Sequence, residues 1–201
     1  MHDSAVKSEL LDMLRTMRFK GRGPTLYRES IDARVVHVVV IQAGRSHLQG
    51  KFTIELGAFL PSVYELHRSQ PAPTRPPIEK CQVRARLAQF DGGPDTWWRF
   101  DEPRVPAALA LAVHSAIPRF FDHWGDVTSI VGSCAAATHA HVVRVSRFAV
   151  AALLHEERRD EEARRVLQVM YESFLGERKD IAQIERFAGK LGIHLHTEPA
   201  P

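Results

Sequence analysis

The feature that most constrains the fold is a segment from Lys51 to Leu60 in which apolar side chains recur at every second position. One set of alternate positions holds Phe52, Ile54, Leu56, Ala58 and Leu60, and the other holds Lys51, Thr53, Glu55 and Gly57. Successive side chains of a β-strand point to opposite faces of the sheet, so this spacing is typical of a strand with one buried face. We therefore expect a half-buried strand here.

Neighbouring segments predict further strands. Residues 25–29 form a short candidate, and residues 34–42 are a valine-rich apolar run, typical of a strand covered on both faces. Glycines begin and end residues 44–50, which favours an antiparallel hairpin between the two long strands. In residues 81–87 the apolar positions alternate with Gln82, Arg84 and Arg86. After a turn at 91–95, Trp97 and Trp98 are expected in an edge strand or a flap.

Helical spacing occurs at both ends of the chain. Residues 4–18 predict an opening helix, and a helix follows Pro106, with Pro118 expected to kink or break it. Further helices are predicted over 142–157, 161–175 and 180–191, the first two as a tetratricopeptide-like hairpin. Residues 61–79 contain five prolines and are expected to be a surface loop.

This order of elements predicts an α+β fold. We expect an antiparallel sheet of about four to five strands with an N-terminal helix, followed by a C-terminal all-helical segment containing the tetratricopeptide-like helical hairpin. The predicted organisation is an α+β sheet domain over residues 1–125 and a helical C-terminal extension over 126–201 packed on it.

Composition favours a globular protein with a modest basic bias. The chain of 201 residues has a net charge of +3, and residues 1–100 hold 15 Lys and Arg against 10 Asp and Glu. The first residues carry Asp3, Lys7 and Glu9 and no unbroken apolar segment, so we predict neither a secretion signal nor a membrane span. The two cysteines fit a reducing compartment, and we predict a cytoplasmic protein.

The N-terminal part resembles a bacterial family catalogued as domain of unknown function 4304. The resemblance covers roughly residues 5–125 and rests on the opening helix, Phe19-Lys20 with Gly21 and Gly23, Leu26-Tyr27-Arg28-Glu29, the Val-Val-Ile-Gln run ending at Gln42, residues 52–57, Cys81 leading into residues 84–87, and Trp97-Trp98. Arg18 stands where the family usually has glycine, and Glu55 where it often has asparagine. The resemblance implies an α+β sheet domain and no reaction type.

The outward face of the predicted sheet is the main candidate site for a ligand or a partner. Glu55, Arg84 and Arg86 would form a charged patch there, near Trp97 and Trp98. Two guanidinium groups can clamp a carboxylate or a phosphate through paired hydrogen bonds. The alternative is that Glu55 pairs with an arginine across the strands and that the patch has only a structural role.

A second candidate surface is the basic segment after the first helix. Arg18, Lys20, Arg22 and Arg28, preceded by Arg15, are interleaved with Phe19 and Tyr27, a combination that can contact phosphates and stack on bases. The alternative is that both aromatic rings pack in the core. Weak nucleic-acid binding is therefore the second alternative function.

Catalytic and metal-binding patterns are weak, and we predict no catalytic residue, no metal site and no cofactor. His139-x-His141 and His194-x-His196 lack the third and fourth ligands that a metal site requires. Ser46-His47 and Ser133-Cys134 are sequence neighbours without a nucleophile elbow. Gly21-x-Gly23 precedes a predicted strand, whereas a dinucleotide loop precedes a helix.

These observations predict a non-enzymatic protein that recognises an acidic or anionic partner through the basic end of its sheet. A toxin-neutralising immunity protein is one form of such a function, because surface complementarity needs no catalytic group. The alternative is a small-ligand-binding protein or an enzyme that uses the Arg84, Arg86, Glu55 and Trp97 region. The expected partner is an unidentified protein or an anionic ligand, with nucleic acid disfavoured and no membrane.

Overall fold

The structure is a computed structural model that describes residues 5–136, 141–175 and 177–196. Its helices are α1 (Ala5–Thr16), α2 (Pro61–Arg68), α3 (Leu87–Phe90), α4 (Ala107–Trp124), α5 (Val127–Ala135), α6 (Arg147–Glu156), α7 (Asp160–Ser173) and α8 (Arg178–Lys190). Its strands are β1 (Thr25–Glu29), β2 (Val36–Ala43), β3 (Lys51–Phe59), β4 (Val83–Arg86), β5 (Trp98–Arg99) and β6 (Arg144–Val145). The predicted α+β fold, with an N-terminal helix, an antiparallel sheet and C-terminal helices, is confirmed.

The chain divides into two compact units. The first comprises residues 1–59 and 73–144, and the second comprises residues 60–72 and 145–201. The sequence predicts a domain boundary at residue 125. The two compact units have other bounds, and the domain boundary stays a prediction.

The sheet is built around β3. Among the described residues its strand order is β1-β2-β3-β4-β6, with β5 paired to β3 beside this path. β2 pairs with β3 along its whole length, from Val36 opposite Phe59 to Ala43 opposite Phe52. The other edge of β3 is shared, because β4 pairs with residues 55–58 and β5 with residues 51–52. The predicted antiparallel hairpin is confirmed.

The core of the first unit lies between the sheet and its helices. α1 contributes Val6, Leu10 and Leu14, all with no exposed surface, and α4 contributes a stripe of buried residues that includes Ile117, Phe120 and Trp124. β3 is buried on both faces over most of its length, since Thr53 and Gly57 are covered as fully as Ile54 and Leu56. The expected half-buried strand is therefore exposed only in part, at Lys51 and Glu55.

A close approach explains the glycine in the middle of β3. A Cβ atom at Gly57 would lie 2.6 Å from Ile78 Cδ1 and 2.7 Å from Cys81 Sγ. No side chain fits at these distances without displacing the side chains of Ile78 and Cys81. Gly57 also lies opposite Arg84 in the register, so this arginine has no side chain facing it across the strands.

One sequence expectation about proline is wrong. The proline-rich segment 61–79 begins with α2, because Pro61 occupies the first helical turn, where a missing N–H breaks no hydrogen bond. Residues 78–80 form a turn of 3-10 helix. Pro118 is expected to kink or break its helix, and no break occurs, because α4 continues through Pro118 at the cost of one backbone donor.

The second unit is helical. α6 and α7 pack against each other across the three-residue connection 157–159, so they form the predicted helical hairpin. Ala151, Leu153 and Leu167 are fully buried, and Ala152 almost so, which gives the hairpin an apolar interface. α8 adds Ile184 and Phe187 to this core.

Candidate functional site

The pairing of β3 with β4 brings three of the predicted site residues to one face of the sheet. Glu55 lies directly opposite Arg86, and Gly57 lies opposite Arg84. All three charged side chains are half-buried, and Ala85 between the arginines points to the core. The alternation predicted for residues 81–87 therefore describes this strand correctly.

Arg86 is held by contacts within the protein. Its Nε lies 3.8 Å from Glu55 Oε1, and its Nη1 donates a hydrogen bond to Asp95. Its guanidinium also lies over the Trp97 ring, 5.5 Å from the centroid. Two carboxylates and an indole thus fix Arg86 in place, which is the cross-strand pairing that the sequence left as the alternative.

The Arg84 side chain differs from that of Arg86 in having no hydrogen bond or ion pair with any described residue. Arg144 in β6 is exposed and, within the described parts of the chain, equally without a partner. Both lie in the wall of an open cleft of about 290 Å³. The residues that line this cleft are Glu55, Arg84, Ala85, Arg86, Gln89, Asp95, Val142 and Arg144. We call it the sheet cleft.

Sequence analysis missed Arg144 because it placed this residue in a helix predicted over 142–157, whereas that helix begins only at Arg147. Arg144 belongs to a two-residue strand that follows α5, and only the short alternation Val143-Arg144-Val145 marks that strand in the sequence. Three residues are too few to distinguish a strand from a loop. Its place in the sheet cleft depends on tertiary structure, as does its proximity to Arg84.

The two adjacent tryptophans occupy different environments. Trp97 lies beneath Arg86, whereas Trp98 is the register partner of Phe52, with the two ring centroids 5.9 Å apart. Phe52 has no exposed surface. Only Trp97 therefore borders the charged face, and Trp98 closes the shared edge of β3.

The basic segment proposed for nucleic acid is only partly available. Phe19 is 1% exposed, so it packs in the core and has no free face for a base. Arg28 donates to His37 Nδ1 through Nε at 3.1 Å and to the Met17 carbonyl through Nη1 at 3.1 Å. Arg18, Lys20 and Arg22 are exposed. Clefts of about 830 and 730 Å³ both reach Arg18 and Arg28.

His37 completes an internal cluster with Arg28 that sequence analysis did not single out. Its Nε2 lies 2.6 Å from the Gly125 carbonyl, and its ring stacks on Phe121 at 4.2 Å between centroids. Burial lowers the pKa of His37 from 6.5 to about 4, an effect that the neighbouring Arg28 reinforces. The neutral ring fits this geometry, because Nε2–H donates to Gly125 while Nδ1 accepts from Arg28. The only sequence signal for this cluster was a single histidine, His37, within the valine-rich run of residues 34–42.

The cysteines and the histidine pairs form no reactive cluster in the described residues. Burial raises the pKa of Cys81 to about 12 and that of Cys134 to about 11, so both thiols stay protonated near neutral pH. Among residues 5–136, 141–175 and 177–196, no three His, Cys, Asp or Glu side chains converge as a metal site would require. His139 lies outside these ranges.

The sheet, its flanking helices and the sheet cleft define a class of α+β protein with a charged face on the outer part of β3 and β4. The chain belongs to the family described as "Domain of unknown function (DUF4304)", whose model matches residues 10–121. The match includes Glu55, Arg84 and Arg86 but not Arg144. No curated protein and no solved structure matches the chain. None of the helices in the described ranges has the length and apolar character to cross a membrane.

Proposed function

We propose that this protein is a non-enzymatic binding protein that recognises the acidic surface of a partner protein through the sheet cleft. The observation that carries the proposal is the pair of arginines, Arg84 and Arg144, that line one cleft and have no partner among the described residues. Unpaired guanidinium groups at a half-covered site are available to carboxylates that another molecule supplies.

The arginines of the cleft are of two kinds, one held by internal contacts and the others without a partner among the described residues. Arg86 is neutralised by Glu55 and Asp95, and these contacts hold the wall of the cleft in shape. Arg84 faces Gly57, so no acidic side chain lies opposite it in the sheet. A ligand carboxylate at Arg84 therefore has no internal competitor directly across the strand.

Energetics favour a large partner over a small ligand. Exposed ion pairs contribute only about 0.2–1 kcal/mol each, so two arginines alone do not give tight binding. Arginines at the edge of a wider protein interface add specificity and faster association.

The lining of the cleft fits the recognition of acidic groups, because it holds three arginines against two carboxylates. The described residues around it include arginines and carboxylates but no histidine, cysteine or serine. Toxin neutralisation is one form of the proposed binding, since an immunity protein that acts by surface complementarity needs no catalytic group. A small-ligand-binding protein or an enzyme that uses Arg84, Arg86, Glu55 and Trp97 stays the alternative, and nucleic-acid binding through Arg18, Lys20, Arg22 and Arg28 the second.

Affinity capture from the native host tests the proposal. Three forms of the full chain are compared: wild type, Arg84→Gln/Arg144→Gln, and Arg45→Gln/Arg104→Gln. The last variant removes the same charge at exposed loop positions outside the sheet cleft. We expect the cleft variant to lose an acidic protein that wild type and control both retain, and we expect added salt to release that protein. Retention of every captured protein by a folded cleft variant would contradict the proposal.

A further inference from the structure

A second cationic cleft lies in the helical unit, formed by α2 and α8. Its volume is about 290 Å³, and its lining consists of His67, Arg68, Lys179, Gln183, Arg186, Phe187 and Lys190. The residues from α8 are at positions 179, 183, 186, 187 and 190, which places them along one face of that helix. Four of the seven side chains carry a permanent positive charge, and no acidic residue is among them.

Some of these residues have a structural role. The Lys190 ammonium donates to the Leu66 carbonyl and, at 2.7 Å, to Ser69 Oγ, so it caps the C-terminal end of α2. Gln183 Nε2 lies 2.6 Å from His67 Nε2, and the His67 ring stacks on Phe148 with centroids 4.5 Å apart. These contacts keep α2 and α8 in a defined arrangement.

The remaining cations have no such explanation. Arg68, Lys179 and Arg186 are exposed, and none of their side chains has a hydrogen bond or an ion pair with a described residue. Like charges that converge from separate helices repel one another, and Arg68 and Lys190 add to burial in lowering the pKa of His67. An anion between the helices would turn this repulsion into attraction.

We infer that the cleft between α2 and α8 binds the phosphate or diphosphate group of a small ligand through Arg68, Lys179 and Arg186. Guanidinium groups match phosphate oxygens with paired donors, and a lysine ammonium adds a point charge. Three unpartnered positive charges balance a diphosphate more closely than a single carboxylate. The site is distinct from the sheet cleft and does not depend on the function proposed for that cleft.

Calorimetric titration of the full chain with inorganic pyrophosphate at about 0.15 M ionic strength tests the inference. The site variant is Lys179→Gln/Arg186→Gln. The matched control is Arg178→Gln/Arg165→Gln, which removes two exposed cations from α8 and α7 without altering the cleft lining. We expect the site variant to weaken pyrophosphate binding at least tenfold and the control to change it less than twofold. Circular dichroism checks that each variant keeps its helical content.

Three results would overturn the inference: no binding of pyrophosphate to wild type, an equal loss in the matched control, or a loss in Arg84→Gln/Arg144→Gln instead. The first excludes a phosphate site, the second indicates an unspecific charge effect, and the third assigns the anion to the sheet cleft. A single-stranded oligonucleotide is the further probe. If it binds through the same residues and pyrophosphate does not compete with it, the small-ligand proposal is wrong.

Discussion

Arg28 and Arg84 both lie on strands of one sheet, but their donors are used differently. Arg28 is bonded to His37 and Met17, and its guanidinium lies over Phe19 and Phe121, 4.6 and 5.3 Å from the ring centroids. Arg84 lies opposite a glycine and contacts no described acid. The first arginine is bonded within the fold, whereas the side-chain donors of the second are unpaired among the described residues.

This comparison teaches that an arginine on a strand does not by itself mark a binding surface. What lies opposite it in the fold decides whether its charge is already compensated. Arg86 lies two residues after Arg84 on the same face of β4, and its positive charge is compensated by Glu55 and Asp95. Neighbouring positions of one short strand thus have different roles, and three experiments test this division.

The largest expected effect is acid destabilisation through His37, the acceptor of Arg28. Its folded-state pKa of about 4 lies below the ordinary 6.5, so the unfolded chain binds the proton more readily. Stability is then lost as the pH falls from about 6.5 to about 4, by about 3 kcal/mol from this group. Urea unfolding across this range measures it, and His37→Gln should lack this part of the loss. The same pH dependence in both proteins would contradict the assignment.

The next effect is on stability at neutral pH. Arg28→Gln should lower the free energy of unfolding by about 2 kcal/mol, because it leaves two part-buried acceptors unpaired and removes contacts with two rings. Arg84→Gln, the matched control on β4, should change it by less than about 0.5 kcal/mol. Chemical denaturation compares the two variants directly. Equal losses would remove the distinction between a structural and an available arginine.

The smallest effect concerns Arg18, which borders the clefts around Arg28. Its φ is 66°, a left-handed conformation that glycine adopts without steric cost. Arg18→Gly should therefore raise the free energy of unfolding by about 0.5 kcal/mol, after allowance for the greater chain entropy of glycine. Arg22→Gly is the control in the same loop. Arg22 has no positive φ, so its replacement by glycine should lower the free energy of unfolding. A lower free energy of unfolding in both variants would refute the interpretation.

Much of the first unit follows from the sequence because its strands have one regular period. The alternation over residues 51–60 and 81–87 identifies β3 and β4 and the outward direction of Arg84 and Arg86. The antiparallel register then follows from the short connection between β2 and β3. Composition misled where local context matters, as at Pro61, which begins a helix in a segment expected to be a loop.

The site itself was only partly predictable, since its properties depend on residues distant in sequence. The bond from His37 to Gly125 spans 88 positions, and Arg144 reaches the sheet cleft from a strand of two residues. The periodic spacing of apolar residues, which identifies helices and strands, does not reveal contacts between residues so far apart in sequence. Nor does the sequence reveal that Gly57 faces Arg84 until the register of β3 and β4 is known.

The most direct test of the central claim is to follow the arginine Nε–H signals by NMR during titration with a hexaglutamate peptide. Signals of Arg84 and Arg144 should shift together and saturate, while the Arg28 signal, already bonded to His37, should stay in place. Arg84→Gln/Arg144→Gln should abolish the saturable response. If Arg84 and Arg144 remain unchanged while other arginines respond, the sheet cleft is not the anion-binding surface.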